Sequence, residues 1–181
     1  MTKNKNIILG VTASIAIYKS CDLIRRLKER GFQVTVVMTD EAEELIKPIV
    51  FQSLSGNKVY RGLFDSLKAW EIEHVSLADK ADLVLIAPAT ANIIAKIASG
   101  ICDDLLTCII LATKAAVLLC PAMNENMYLN KTTQENIKKL KRLGYKFVGP
   151  DRGRLANGKI GIGHLASVED IVKEVKRTLK A

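Results

Sequence analysis

The chain has 181 residues, of which 49% are hydrophobic, 25% charged and 5% aromatic, and it carries a formal net charge of +8. This length suits one domain with a substantial core, and no apolar run reaches the ~20 residues that a membrane-crossing helix needs. The bases are spread along helix-like segments such as Lys138, Lys139, Lys141 and Arg142, with no dense basic arm and few aromatics to stack on bases, which argues for solvated faces and against a nucleic-acid binder.

Met1 to Asn6 leads directly into Ile7-Ile8-Leu9 without a signal-peptide pattern, so a cytoplasmic protein is expected. Ile7 to Val11 predicts a fully buried strand, and Ala16 to Glu29 the following helix, with Ile17, Cys21, Ile24 and Leu27 at helical spacing. Between them, Gly10-Val11-Thr12-Ala13-Ser14-Ile15 is a small-residue turn at a helix start. Free amides and the helix dipole suit it to an anion, and Ser14 as a simple helix cap is the competing reading. The turn has neither dinucleotide-fingerprint nor P-loop spacing.

Gln33 to Met38 predicts a second strand, with Thr39-Asp40-Glu41 opening a helix at its carboxyl end. Pro48 to Asp65 mixes a short helix with the turn residues Ser55-Gly56-Asn57. His74 lies near a helix start, where a histidine is commonly a surface or capping residue, yet its near-neutral pKa makes it the base candidate if a site is nearby. Asp82 to Ala87 predicts a third apolar strand, as expected of parallel strands covered on both faces. It ends in Pro88-Ala89-Thr90-Ala91-Asn92, before helical Ile93 to Ala98.

Asp103 and Asp104 precede an apolar helix and are read as an N-cap; no His or Glu cluster completes a metal shell, and no metal is expected. Cys21, Cys102, Cys108 and Cys120 form no C-x-x-C pair and are read as reduced, mostly buried thiols. A further apolar run, Leu118 to Cys120, stops at Pro121-Ala122-Met123-Asn124, putting polar amides at a strand's carboxyl end, where open α/β sheets bind ligands. Thr132 or Thr133 is expected to start a helix to Leu143, and Tyr145 to Val148 forms a strand. Gly149 to Leu165 predicts a long glycine-rich loop acting as a lid or clamp, and Ser167 caps a final helix. The alternation of strands and helices predicts a single three-layer α/β domain with a mostly parallel sheet, Rossmann-like or flavodoxin-like.

Five motifs in this order carry a resemblance that covers essentially the whole chain: Gly10-x-Thr12-Ala13-Ser14-Ile15 with Tyr18-Lys19; His74-Val75-x-Leu77-Ala78; Pro88 to Asn92; Gly100-x-x-Asp103-Asp104-Leu105-Leu106-Thr107; and Pro121-Ala122-Met123-Asn124-x-x-Met127. The sequence resembles the homo-oligomeric flavin-containing cysteine decarboxylases, and within them the coenzyme A branch. The resemblance implies one flavoprotein domain over 1–181 with a substrate clamp at 149–165. It implies an FMN site made of Gly10, Ala13, Ser14, Ile15, Thr39, Thr90, Ala91, Asn92, Ile93, Ala122 and Met123. The implied substrate is a small phosphorylated cysteine conjugate, 4′-phospho-N-pantothenoylcysteine, decarboxylated to 4′-phosphopantetheine.

By resemblance, His74 is the acid/base near the thiol and Asn124 hydrogen-bonds the substrate carboxylate, with Met127, Ala156, Asn157 and Gly158 also at the substrate. A neutral amide suits the role of Asn124, because it donates to the anion without strongly stabilising the charge that must be lost. The family clamp, A-C-G-x-x-G-x-G, reads here Ala156-Asn157-Gly158-Lys159-Ile160-Gly161-Ile162-Gly163. Asn157 therefore stands where a cysteine donates the proton for the final reduction. Either another donor serves, or the oxidised enethiol is released, as in relatives acting on peptide carboxy-terminal cysteines. Those peptides, and a non-catalytic flavin-binding role, are the competing readings; retention of both His74 and Asn124 weighs against the latter. The resemblance further implies a trimer or an assembly of trimers, with no nucleic-acid or membrane partner.

Overall fold

The computed structural model describes residues 5–63, 73–155 and 158–180. Strands β1 (Asn6–Val11), β2 (Gln33–Met38), β3 (Val59–Tyr60), β4 (Leu83–Ala89), β5 (Ala116–Pro121) and β6 (Lys146–Phe147) form one parallel sheet in the order β3-β2-β1-β4-β5-β6. This is the doubly wound order of Rossmann-type folds. Helices α1 (Lys19–Glu29), α2 (Asp40–Glu43), α3 (Pro48–Ser55), α4 (Glu73–Lys80), α5 (Ala91–Ser99), α6 (Leu105–Ala112), α7 (Glu125–Leu129), α8 (Lys131–Arg142) and α9 (Val168–Leu179) complete the layers.

The period-2 geometry of the strands divides their apolar residues between two cores. Ile7, Leu9 and Val11 of β1 join Leu23, Ile24 and Leu27 of α1, Phe51 of α3 and Ile171 and Val175 of α9. Ile8 faces the opposite way and joins Ile94 of α5, Leu106 and Ile109 of α6 and Leu140 of α8. Leu83, Leu85 and Ala87 alternate with Val84 and Ile86 in the same manner along β4. The unbroken apolar runs of the sequence thus correspond to strands covered on both faces.

Several local expectations needed correction. The stretch 149–165 is not an irregular loop: β7 (Asp151–Arg154) and β8 (Ile160–His164) pair antiparallel, with Gly153 opposite Gly161 and Arg154 opposite Ile160. Glycine-rich strands lack the side-chain alternation by which strands are recognised. The helix expected from Thr132 or Thr133 starts at Lys131, because Asn130 Oδ1 accepts from Thr132 N at 3.0 Å and caps it. A short helix, α7, intervenes before it, and the helix expected from Ala16 opens with a 3-10 turn, Ile15–Tyr18, before α1 begins.

Among the cysteines, Cys120 is buried, Cys21 and Cys108 are half-buried and Cys102 is exposed, so the expectation of mostly buried thiols holds fully only for Cys120. All four are free, and burial pushes the Cys120 thiol far up from its ordinary pKa. No helix among the described residues is long and apolar enough to cross a membrane. Nor do the described residues contain a group of three or more His, Cys, Asp or Glu side chains able to hold a metal.

Candidate active site at the carboxyl edge of the sheet

β1 and β4 lie side by side at the centre of the sheet, and the chain leaves β1 for α1 on one face and β4 for α5 on the other. The strand order reverses here, opening a crevice at the carboxyl edge. Thr12, only 2% exposed, ties the two strand ends together. Its Oγ1 donates to Pro88 O at 2.8 Å and accepts from Thr90 N at 3.2 Å. From the first turn of α1, Ser20 Oγ donates to Ala87 O at 2.8 Å. Ala122 N donates to Ala89 O at 3.0 Å, so the end of β5 extends the same rim.

The sequence-predicted residues distribute around this crevice. Ser14 Oγ accepts from Ala16 N at 3.4 Å, so the capping reading is met, although by a long bond that a bound anion could readily replace. Ala13 and Ser14 are half-buried, while the turn leaves Ile15 and Tyr18 66% and 60% exposed. Gly10 belongs to the core side of the same turn. A Cβ there would lie 2.7 Å from Leu106 Cδ1, so its missing side chain lets β1 pack against α6.

Thr90 caps α5, its Oγ1 accepting from Ile93 N at 3.3 Å; Ala91 is half-buried, Asn92 exposed, and the Ile93 side chain is in the core. Thr39 occupies the cap position of α2 without a side-chain capping bond. It lines a cavity of about 350 Å³ together with Asp40, Arg61, Lys96, Asp103 and Asp104. Asp104 and Thr107 form a capping box, with Thr107 N donating to Asp104 Oδ1 at 2.7 Å. Lys96 Nζ lies 2.7 Å from Asp103 and 3.0 Å from Asp104. The Asp103 hydrogen bond holds the ammonium above its usual pKa, and the same bond draws the Asp103 carboxyl down. Asp104 is thus the N-cap that its position before an apolar helix indicated, while Asp103 pairs with Lys96.

At the end of β5, Ala122 is buried, Met123 half-buried and Asn124 exposed. Asn124 caps α7, its Oδ1 accepting from Asn126 N at 2.8 Å. One lone pair of the oxygen is engaged in the cap, and the two Nδ2 hydrogens suit the amide to an anion. Met127, on α7, is 49% exposed.

The hairpin β7–β8 sits on this segment: Met123 N donates to Gly163 O at 3.0 Å. Gly163, at φ +134°, has no room for a Cβ against Met123 O. At the hairpin's base, Lys19 Nζ and His164 Nε2 are 3.2 Å apart. Burial lowers the Lys19 pKa, partly opposed by the charge of Asp151. Gly158 is exposed near the tip, with φ +81°; Ala156 and Asn157 lie outside the described residues.

His74 is half-buried in the first turn of α4. Because α4 leads into the parallel strand β4, that first turn lies towards the carboxyl edge of the sheet. Among the described residues, no hydrogen bond joins it to Asn124. Sequence reasoning missed Thr12 and Ser20 as the ties across the crevice, though both lie in or beside the small-residue turn. It also missed Glu125 and His164, whose partners are remote in sequence.

Taken together, the strand ends offer hydroxyls (Ser14, Thr39), the helix-start amides of Ala91 and Asn92, and exposed apolar side chains at Ile15, Tyr18 and Met127. This donor and wall set fits a planar cofactor bearing a phosphate.

The model of the family described as Flavoprotein matches residues 1–180. The chain is 48% identical over 93% of its length to the coenzyme A biosynthesis bifunctional protein CoaBC of Vibrio vulnificus, of which it spans 42%. It is 41% identical to a probable phosphopantothenoylcysteine decarboxylase of Streptococcus mutans, over 97% of this chain and 99% of that one. Among solved structures, a mutant PPC decarboxylase complexed with pantothenoylaminoethenethiol superposes with a TM-score of 0.88 at 29% identity, covering 99% of this chain and 100% of that one. The FMN-dependent cysteine decarboxylase SpaF gives 0.85 at 30%, covering 97% and 95%. A family match over nearly the whole chain, with the same fold in these relatives, shows that this chain belongs to the Flavoprotein family.

Proposed function

We propose that the chain is a cytoplasmic FMN-dependent phosphopantothenoylcysteine decarboxylase, converting 4′-phospho-N-pantothenoylcysteine to 4′-phosphopantetheine in coenzyme A biosynthesis. The observation that carries this reading is the amide of Asn124, oriented by its cap at the sheet's carboxyl edge beside Met123. The near full-length likeness to the Streptococcus mutans relative supports the choice of substrate.

The FMN phosphate is assigned to the Ser14 turn and Thr39, and the ring to the Thr90–Ile93 loop, Ala122 and Met123, with Gly10, Ala13, Ile15, Ala91 and Asn92 bordering the site. When bound, FMN would take two electrons from the substrate's cysteine side chain, bringing its β-carbon to the thioaldehyde level so that the carboxylate can leave as carbon dioxide, and would return them to the decarboxylated enethiol. His74 takes the thiol proton. The Nδ2 of Asn124 orients the carboxylate, and being neutral it opposes loss of that charge less than a cation would. Met127 lines the substrate and the hairpin of β7 and β8 covers it, with Ala156, Asn157 and Gly158 of the clamp motif assigned to substrate contact. Asn157 has no readily ionisable hydrogen with which to protonate the enethiol, so reduction of that enethiol to 4′-phosphopantetheine is the slow step and the oxidised aminoenethiol accumulates.

Among the described residues no hydrogen bond joins His74 to Asn124, and Ile15 and Tyr18 are exposed at the rim. Both features favour a site completed by a neighbouring copy in a trimer or an assembly of trimers. A peptide carboxy-terminal cysteine is the second candidate substrate, favoured by Asn157 and by the likeness, at 26% identity, to the peptidyl-cysteine decarboxylase EpiD.

The test is mass spectrometry of products from 4′-phospho-N-pantothenoylcysteine and, in parallel, from a cysteine-terminated peptide. Loss of carbon dioxide from the first alone is expected. His74→Asn should slow that loss roughly a hundredfold or more with flavin absorbance retained, and Asn157→Cys should remove the oxidised intermediate. Turnover of the peptide alone would replace the proposed substrate, and a protein that takes up no FMN would end the reading.

A further inference from the structure

The hairpin is attached to the Asn124 turn by a side chain that no motif singles out. Glu125, the residue after Asn124, is half-buried in the first turn of α7, and its Oε1 accepts from Ile162 N of β8 at 3.0 Å. Gly161, the residue before Ile162, is buried. A Cβ built on Gly161 would lie 2.7 Å from Glu125 Cδ and from both carboxylate oxygens, its three nearest neighbours. The carboxylate therefore fills the space the glycine leaves, directly beside the backbone bond from Met123 N to Gly163 O. A charged acceptor makes a stronger hydrogen bond than a neutral one, and two adjacent ties resist the hinge motion that one would permit.

We propose that Glu125 is a positioning residue whose carboxylate clasps β8 against the turn carrying Asn124, so that the covering hairpin and the donor to the substrate carboxylate move as one unit. The catalytic consequence rests on the reading that the hairpin covers the substrate; the clasp itself does not. Loosening it weakens substrate retention and leaves the flavin contacts alone, because Glu125 touches neither the Ser14 turn nor the Thr90 loop.

The experiment uses the FMN-loaded protein with 4′-phospho-N-pantothenoylcysteine, alongside limited trypsin digestion followed by mass, read at cleavage after Arg152 and Arg154. Glu125→Ala should raise KM roughly tenfold, as fits one lost hydrogen bond to a charged group. It should change kcat much less, leave flavin content unchanged and speed hairpin cleavage. Glu125→Gln keeps an acceptor oxygen and should recover most of the KM. Gly161→Ala should mimic Glu125→Ala yet add nothing in its background, since the carboxylate it would strike is gone.

Unchanged KM and cleavage in Glu125→Ala, or full additivity of Gly161→Ala, would overturn the proposal. If the unaltered protein does not decarboxylate this substrate while Glu125→Ala still speeds cleavage and masks Gly161→Ala, the substrate reading falls and the clasp stands.

Discussion

Thr12 owes its importance to one hydroxyl that serves two strand ends, donating to Pro88 O and accepting from Thr90 N while 2% exposed. Thr12→Val keeps the shape but leaves a buried carbonyl and amide without that partner, which should cost about 1–3 kcal/mol. Urea unfolding of the apoprotein measures the loss, and an FMN titration should show weakened uptake because the crevice floor is no longer held. Thr12→Ser should retain most of both. The sequence marked Thr12 as a small residue in a turn and as part of the first motif, with no role of its own. Its role depends on a partner 76 residues away, which no local spacing reports. Asn124 was legible as a strand-end amide, whereas the fixed orientation of that amide came from its cap on α7.

At the scale of elements, helix caps were the most readable features. Asp104 and Ser167 each accept the backbone N–H three residues on, as residue types before an apolar run imply. Helix α9 also carries a pH-dependent contribution. Glu174 accepts from Arg177 Nε at 2.7 Å and Nη2 at 2.8 Å, and that hydrogen bonding holds its carboxyl below the ordinary glutamate value. A carboxylate whose folded pKa is depressed stabilises fully above its unfolded pKa, and the contribution is lost as pH falls through the folded one. Melting temperatures of the unaltered protein and Glu174→Gln should therefore differ at neutral pH, by on the order of 1 °C for so exposed a pair. They should converge as the pH is taken below the ordinary glutamate range; a difference that grows on acidification would contradict the assignment. The hairpin was the least readable element, since Gly153, Gly161 and Gly163 conceal its strands from any apolar alternation while permitting its close seat on Met123 and Glu125.

At the scale of the whole molecule, the doubly wound order puts the strand-end turns on one edge, but among the described residues no hydrogen bond joins the half-buried His74 to the exposed Asn124. If a neighbouring copy completes the site, sedimentation at micromolar concentration should give a trimer or a multiple of it. Replacing exposed Ile15 and Tyr18 with charged residues should then lower the assembly state and flavin uptake together; a monomer with full turnover would remove the shared site. The sequence by itself determined the parallel α/β architecture, the positions of most strands and helices, the caps, and the order of motifs that marks the family. These follow from periodicity and from side chains acting within a few residues. Only the tertiary structure decided that Asp151–Arg154 and Ile160–His164 pair as antiparallel strands, that Glu125 holds them, and that Thr12 closes the crevice. Those bonds join residues 37 and 76 positions apart, and they exist only because the strand order and the missing side chains of particular glycines allow two backbones to meet.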